Sequence, residues 1–168
     1  MSENFESEGD ILQSTVCIMD IEIASFGMAE AVKTVEKFIE TQKPHLIATA
    51  NAEMLMLAES NEEFKAILQS ADLVVPDGAG VVWAAKTLGR PVKERVAGYD
   101  LTQELLSIAA QKGYRIYFLG AAPGVALQAK IVAETKYPGL LIVGVRDGYF
   151  ADKDDITVID DITKANPH

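Results

Sequence analysis

Short apolar runs that alternate with stretches of helical length set the tightest limit on what this chain can fold into. His45 to Thr49 (HLIAT), Asp72 to Val75 (DLVV), Tyr114 to Leu119 (YRIYFL) and Leu140 to Val145 (LLIVGV) read as strands. Met28, Ala31, Val32, Val35, Phe38 and Ile39 recur at helical spacing, which predicts a helix ending near Lys43-Pro44. Asn51 can cap a helix carrying Met54, Leu55, Leu57 and Ala58, and Asn61 can cap NEEFKAILQSA. AGVVWAAKTLG is apolar on nearly all sides and reads as a buried helix, with Trp83 in the core. Further helices are expected over Asp100 to Gln111, from Gly124 to about Lys136, and over DDITVIDDITKA, where Ile156, Ile159 and Ile162 lie three apart. Strands alternating with helices in this way build βαβ units. The expected class is therefore α/β: a Rossmann-like, mostly parallel sheet with helices on both faces. Thr15 to Ser25 adds short N-terminal strands, readable as a hairpin, with Cys17 buried in one of them.

In such sheets ligands sit beyond the carboxyl ends of the strands. That directs attention to Thr49-Ala50-Asn51, Pro76-Asp77-Gly78-Ala79-Gly80, Gly120 to Gly124 and Arg146 to Phe150. Asp77 stands where a partly desolvated carboxylate serves as general base, and equally where an Asp caps a helix starting near Ala79. Thr49 and Asn51 offer a hydroxyl and an amide to the same crevice, although Asn51 also suits a plain N-cap. Gly120-Ala-Ala-Pro-Gly124 joins a strand to a helix, an arrangement that brings backbone N–H groups close to a phosphate or simply makes a tight turn. It matches neither GxGxxG nor the P-loop pattern. Arg95 lies in the polar segment KERVAGYD, suited to a phosphate or to solvent.

Charge narrows the partners. Fifteen Lys and Arg against 25 Asp and Glu among 168 residues give a formal charge of −10, which argues against nucleic acid. No apolar run approaches the roughly 18 residues of a spanning helix. The opening MSENFESEGD is acidic and unlike a signal peptide, and residues 1–14 read as a polar tail ahead of one domain over 15–168. One cysteine forbids an internal disulfide and fits a reducing compartment. Asp152, Asp154, Asp155, Asp160 and Asp161 lack EF-hand spacing and read as a solvated face, and two histidines far apart give no zinc pattern.

Five segments occur in one order: TANAEM (Thr49 to Met54), VVPDGAGVVWAAK (Val74 to Lys86), ERVAGYDL (Glu94 to Leu101), FLGAAPGV (Phe118 to Val125) and VGVRDGYF (Val143 to Phe150). Together they resemble the bacterial WecG/TagA/CpsF glycosyltransferases from about Val16 onward, most nearly the TagA-type branch of wall teichoic acid synthesis. The resemblance implies an inverting transfer of N-acetylmannosamine from UDP-ManNAc to undecaprenyl-diphosphate-linked GlcNAc. It places the base on Asp77, crevice groups on Thr49 and Asn51, and a substrate-binding arginine on Arg95. Gly78, Gly120, Ala121, Gly124, Asp147, Gly148 and Tyr149 are expected to hold the nucleotide sugar. The family is described as working without a bound metal, and no cofactor is implied.

Family members continue past the position of Asn166-Pro167 with another strand, a GSPxQE-like motif and a C-terminal appendage that docks on the membrane. A form ending at His168 is therefore expected to be catalytically poor, with either an exposed sheet edge or uncovered apolar surface that self-association could hide. The implied location is cytoplasmic, peripheral at the inner face of the membrane. Two other readings stay open at this point: a nucleotide-dependent oxidoreductase, weakened by the non-standard glycine loop, and a non-catalytic nucleotide-sugar-binding protein.

Overall fold

The computed structural model describes residues 14–168, so the expected polar tail lies almost wholly outside the described residues. The chain divides into two compact units, one running to Leu101 and the other Thr102–His168.

The first unit opens with a hairpin, β1 (Thr15–Ile18) paired antiparallel with β2 (Ile21–Ala24). Met19 and Asp20 form its two-residue turn with φ of 52° and 63°, the left-handed pair that matches the twist of the flanking strands. Alternation then decides the faces. Val16, Ile18, Ile21 and Ile23 go into the core, and Cys17 and Glu22 pair on the outside. Cys17 is therefore exposed rather than buried. Partial desolvation and the Glu22 carboxylate raise its thiol pKa, which keeps the thiolate scarce.

Helix α1 (Met28–Thr41) buries Ala31, Thr34 and Val35. Its start is capped from far along the chain, since Glu94 Oε1 accepts the Met28 N–H at 2.6 Å. Strand β3 (Ile47–Ala50) and β4 (Leu73–Pro76) then pair in parallel, Ile47 opposite Leu73 and Ala50 opposite Pro76. Between them lie α2 (Ala52–Ser60) and α3 (Glu62–Gln69). Asn51 and Asn61 cap these helices through their side chains, accepting from Met54 N at 2.9 Å and Phe64 N at 3.0 Å. The hairpin isoleucines pack with Leu55, Ala58, Leu68, Val74, Val81 and Ala85 into one core.

Helix α4 (Ala79–Thr87) is less buried than its composition predicts. Val81 and Ala85, four apart, are buried, Val82 and Ala84 pack partly against the same core, and Trp83 is 68% exposed. Composition cannot set the orientation of an all-apolar helix; the partner surface does. The connection that follows is not merely polar. Val92, Val96 and Ala97 are buried, and Lys93 N and Val96 N donate to Ser25 O and Pro76 O at 2.7 and 2.9 Å.

Helix α5 (Gly98–Lys112) leads into the second unit, which holds β5 (Arg115–Leu119), α6 (Val125–Lys136), β6 (Leu141–Arg146), a 3-10 turn (Asp152–Asp154) and α7 (Asp155–Ala165). Strands β5 and β6 are parallel, with a register shift between Ile116 and Tyr117. Leu106, Ala109, Ala133, Leu140 and Ile142 form this unit's core. On α7 the buried residue is Val158, and Ile156 and Ile159 are 73% and 60% exposed. Of the three isoleucines spaced three apart only Ile162 is partly buried; it and Val158, four apart, mark the inner side. After α7, His168 closes on β5: its ring Nδ1 accepts from Arg115 N at 2.8 Å and its own N–H donates to Arg115 O at 2.9 Å. The α/β class with mostly parallel pairing holds, with the strands hydrogen-bonded as three separate pairs.

Candidate functional site

Four of the expected residues meet at the carboxyl ends of β3 and β4. The ladder runs one step past β4, with Asp77 N donating to Ala50 O at 2.8 Å, and this sets Asp77 beside Asn51. Gly78 follows at φ 96°, ψ 153°, a backbone region essentially reserved for glycine, and turns the chain into α4. A β-carbon at Gly78 would sit 3.9 Å from Asn51 Cβ, so the two strand-end loops lie in van der Waals reach.

Asp77 does cap a helix, but not the one its sequence position suggests. Helix α4 receives no side-chain cap. Instead Asp77 Oδ2 accepts from Gly98 N at 3.0 Å, at the start of α5 and 21 residues away. Half-buried Asp77 is thereby oriented through one oxygen, while Oδ1 makes no hydrogen bond among the described residues. Thr49 lies against the same glycine: a β-carbon at Gly98 would come within 2.9 Å of Thr49 Cγ2 and 3.2 Å of its Oγ1. Gly98 is the residue that sequence reasoning missed. Its signal was a glycine opening a helix directly after the ERVA stretch, in a motif read only for its arginine.

Asn51 is engaged as an N-cap through Oδ1, which leaves its amide N–H₂ as the group a ligand could use. Arg95 stands apart. Its guanidinium is 53% exposed, lies 3.7 Å from Asp100, and makes no hydrogen bond to Thr49, Asn51 or Asp77 among the described residues. The neighbouring Val96 is tied to Pro76 O, so only the backbone approaches the strand end.

The second unit gathers the other expected residues. Gly120, Ala121 and Gly124 all take positive φ, of 125°, 63° and 85°. Gly120 N donates to Arg146 O and Gly148 N to Ala121 O, both at 2.9 Å, which stitches the GAAPG loop to the segment after β6. Those two N–H groups are therefore engaged within the fold. Asp147 Oδ1 accepts from Tyr149 N at 2.9 Å, a local turn that presents the 76% exposed Tyr149 ring. A cleft of about 380 Å³ opens here, lined by Gly124, Ala126, Leu127, Val145, Arg146, Asp147, Tyr149 and Phe150. Ala126 and Leu127 of the first turn of α6 line this cleft; no side chain caps the helix, and the Val125 N–H donates to Ala122 O at 3.0 Å. Arg146 is held by Asp161 at 2.7 Å, which partners one of the aspartates of the acidic segment.

Among the described residues no group of three or more His, Cys, Asp or Glu is placed to hold a metal ion. His45 is spoken for: its Nε2 meets Thr41 Oγ1 at 2.8 Å and its ring stacks on Phe38 at 4.1 Å. Its Nδ1 stands 3.2 Å from Asp72 Oδ1.

The molecule is thus an α/β chain whose polar and glycine residues collect at the carboxyl ends of parallel strands. It belongs to the glycosyl transferase WecG/TagA/CpsF family, whose sequence profile matches residues 16–168. Three similar proteins carry the name N-acetylglucosaminyldiphosphoundecaprenol N-acetyl-beta-D-mannosaminyltransferase. The one from Bacillus spizizenii is 40% identical over 130 residues, covering 77% of this chain and 50% of the relative. The one from Bacillus subtilis is 30% identical over 154 residues, 91% of this chain and 59% of the relative. The one from Staphylococcus aureus is 29% identical over 154 residues, 90% of this chain and 60% of the relative. The chain spans about half to three-fifths of the length of these relatives.

Proposed function

We propose that this chain carries the catalytic part of an inverting glycosyltransferase that moves N-acetylmannosamine from UDP-ManNAc to the 4-hydroxyl of GlcNAc on undecaprenyl diphosphate. The observation that carries the proposal is the meeting of Thr49, Asn51 and Asp77 at the carboxyl ends of β3 and β4, in a chain whose relatives bear the name of that activity. In one displacement, the acceptor oxygen bonds to the anomeric carbon as its proton passes to Asp77. The bond to UDP breaks at the same time, and its electron pair leaves on the diphosphate. The Asn51 amide and Thr49 hydroxyl are the polar groups beside Asp77 that orient the reacting sugar. Taken by itself, the cleft of the second unit, lined in part by the first turn of α6, is suited to an anionic group. Arg95 is the exposed cation assigned to a substrate phosphate.

No helix among the described residues is long and apolar enough to cross a membrane. A lipid-linked acceptor then requires peripheral contact with the cytoplasmic membrane face. The family match gives no support to the oxidoreductase reading. Calorimetry with UDP, UDP-ManNAc and NAD, followed by an assay with a short-chain lipid-linked GlcNAc, tests the proposal. Binding of UDP species and a β-linked disaccharide product are expected. Tight NAD binding with no affinity for UDP would overturn it, and UDP-ManNAc binding without turnover would leave a binding protein.

A further inference from the structure

We propose that Gly98 is a positioning residue for Asp77, holding the carboxylate through its amide in a way no residue with a side chain can reproduce. This rests on the reading of Asp77 as the base. Gly98 N lies 3.0 Å from Asp77 Oδ2 and opens the 15-residue helix α5, so the carboxylate meets the positive end of a long helix. The approach is close because there is no β-carbon. One placed at Gly98 would lie 2.9 Å from Thr49 Cγ2 and 3.2 Å from both Thr49 Cβ and Oγ1. Carbon atoms in contact prefer about 3.5–4.0 Å.

An added methyl therefore leaves two responses. Thr49 rotates, which its branched side chain resists and which displaces its hydroxyl, or the start of α5 retreats and stretches the bond to Asp77. The second response is opposed just upstream, where Val96 N is bonded to Pro76 O at 2.9 Å. Both responses disturb the arrangement of Asp77 and Thr49. Gly98 touches neither substrate nor reacting atoms in this account and acts through Asp77.

The test is one double-mutant cycle on the full chain. Gly98→Ala is expected to lower kcat by about 10- to 100-fold, the scale of a misplacement near 1 Å, with the donor KM within about threefold. Measured against Thr49→Ser alone, the same substitution should cost much less, because the serine lacks the methyl that the new β-carbon meets. An unchanged kcat in Gly98→Ala, or an equal penalty in both backgrounds, overturns the inference. If Gly98→Ala does not fold, the amide itself reports. The Gly98 N–H resonance in a ¹H–¹⁵N spectrum should move upfield on Asp77→Ala, and a resonance that stays in place overturns the inference. Should Asp77→Asn keep its turnover, the reading of Asp77 as base fails instead, and the Gly98 resonance still shows whether the bond exists.

Discussion

Single residues carry most of the site, and several do so in ways that their sequence positions conceal. Asp77 was legible as a strand-end carboxylate, because Pro76 and Gly78 bracket it and α/β sheets place their chemistry there. Its partner was not legible, since a bond across 21 residues leaves no local trace. Gly78 is the most constrained position. Its φ of 96° with ψ of 153° predicts that Gly78→Ala loses about 1–3 kcal/mol of stability, read from urea unfolding. An unchanged midpoint would mean that the turn relaxes to an ordinary conformation. Arg95 makes one loose contact with Asp100 at 3.7 Å, so its removal should leave stability unchanged. If Arg95 holds a substrate phosphate, Arg95→Lys should still raise KM, because an ammonium cannot reproduce the planar fork. Wild-type kinetics for Arg95→Lys and Arg95→Ala would return it to the solvated surface.

At the scale of elements, periodicity and caps located the strands and helices well. The hairpin, the Asn51 and Asn61 caps and the glycine loop before α6 all lie where local chemistry puts them. Orientation was the weaker part. Trp83 and two isoleucines of α7, Ile156 and Ile159, turn outward because the neighbouring surface, not the helix, selects the buried side. Cys17 faces out because Val16 and Ile18 take the core face of a two-residue repeat. Asn51 offers a way to separate structural and functional roles within one element. Asn51→Asp keeps an oxygen for the Met54 N–H and removes the amide donor, whereas Asn51→Ala removes both. Asn51→Ala should cost roughly 1 kcal/mol, and Asn51→Asp should keep the unfolding midpoint while turnover falls. Full turnover in Asn51→Asp would make this residue a cap and nothing more.

For the whole molecule, the acidic balance of −10 makes the carboxylates the groups through which pH acts. Two of them tie distant parts of the first unit. Asp72 accepts the Leu46 N–H at 2.9 Å, and that bond, with His45 beside it, holds its pKa below the usual carboxylate range. The Lys93 ammonium does the same for Glu30 and joins α1 to the segment after α4. A folded pKa below the unfolded one stabilises above the ordinary carboxylate range, and the contribution is lost as pH falls through the folded value. Stability should therefore decline as pH drops below about 4, and it should decline less steeply in Asp72→Asn. Parallel declines in the two proteins would assign acid unfolding to other carboxylates.

The central claim is that Asp77 takes the proton from the acceptor sugar. The measurement that tests it most directly is turnover of UDP-ManNAc by Asp77→Asn, with UDP affinity measured on the same protein. The account predicts a loss of about 10²–10⁴-fold in kcat, the usual contribution of a general base, with UDP affinity within a few-fold of wild type. Turnover close to wild type would contradict it and leave Asp77 as no more than the cap of α5.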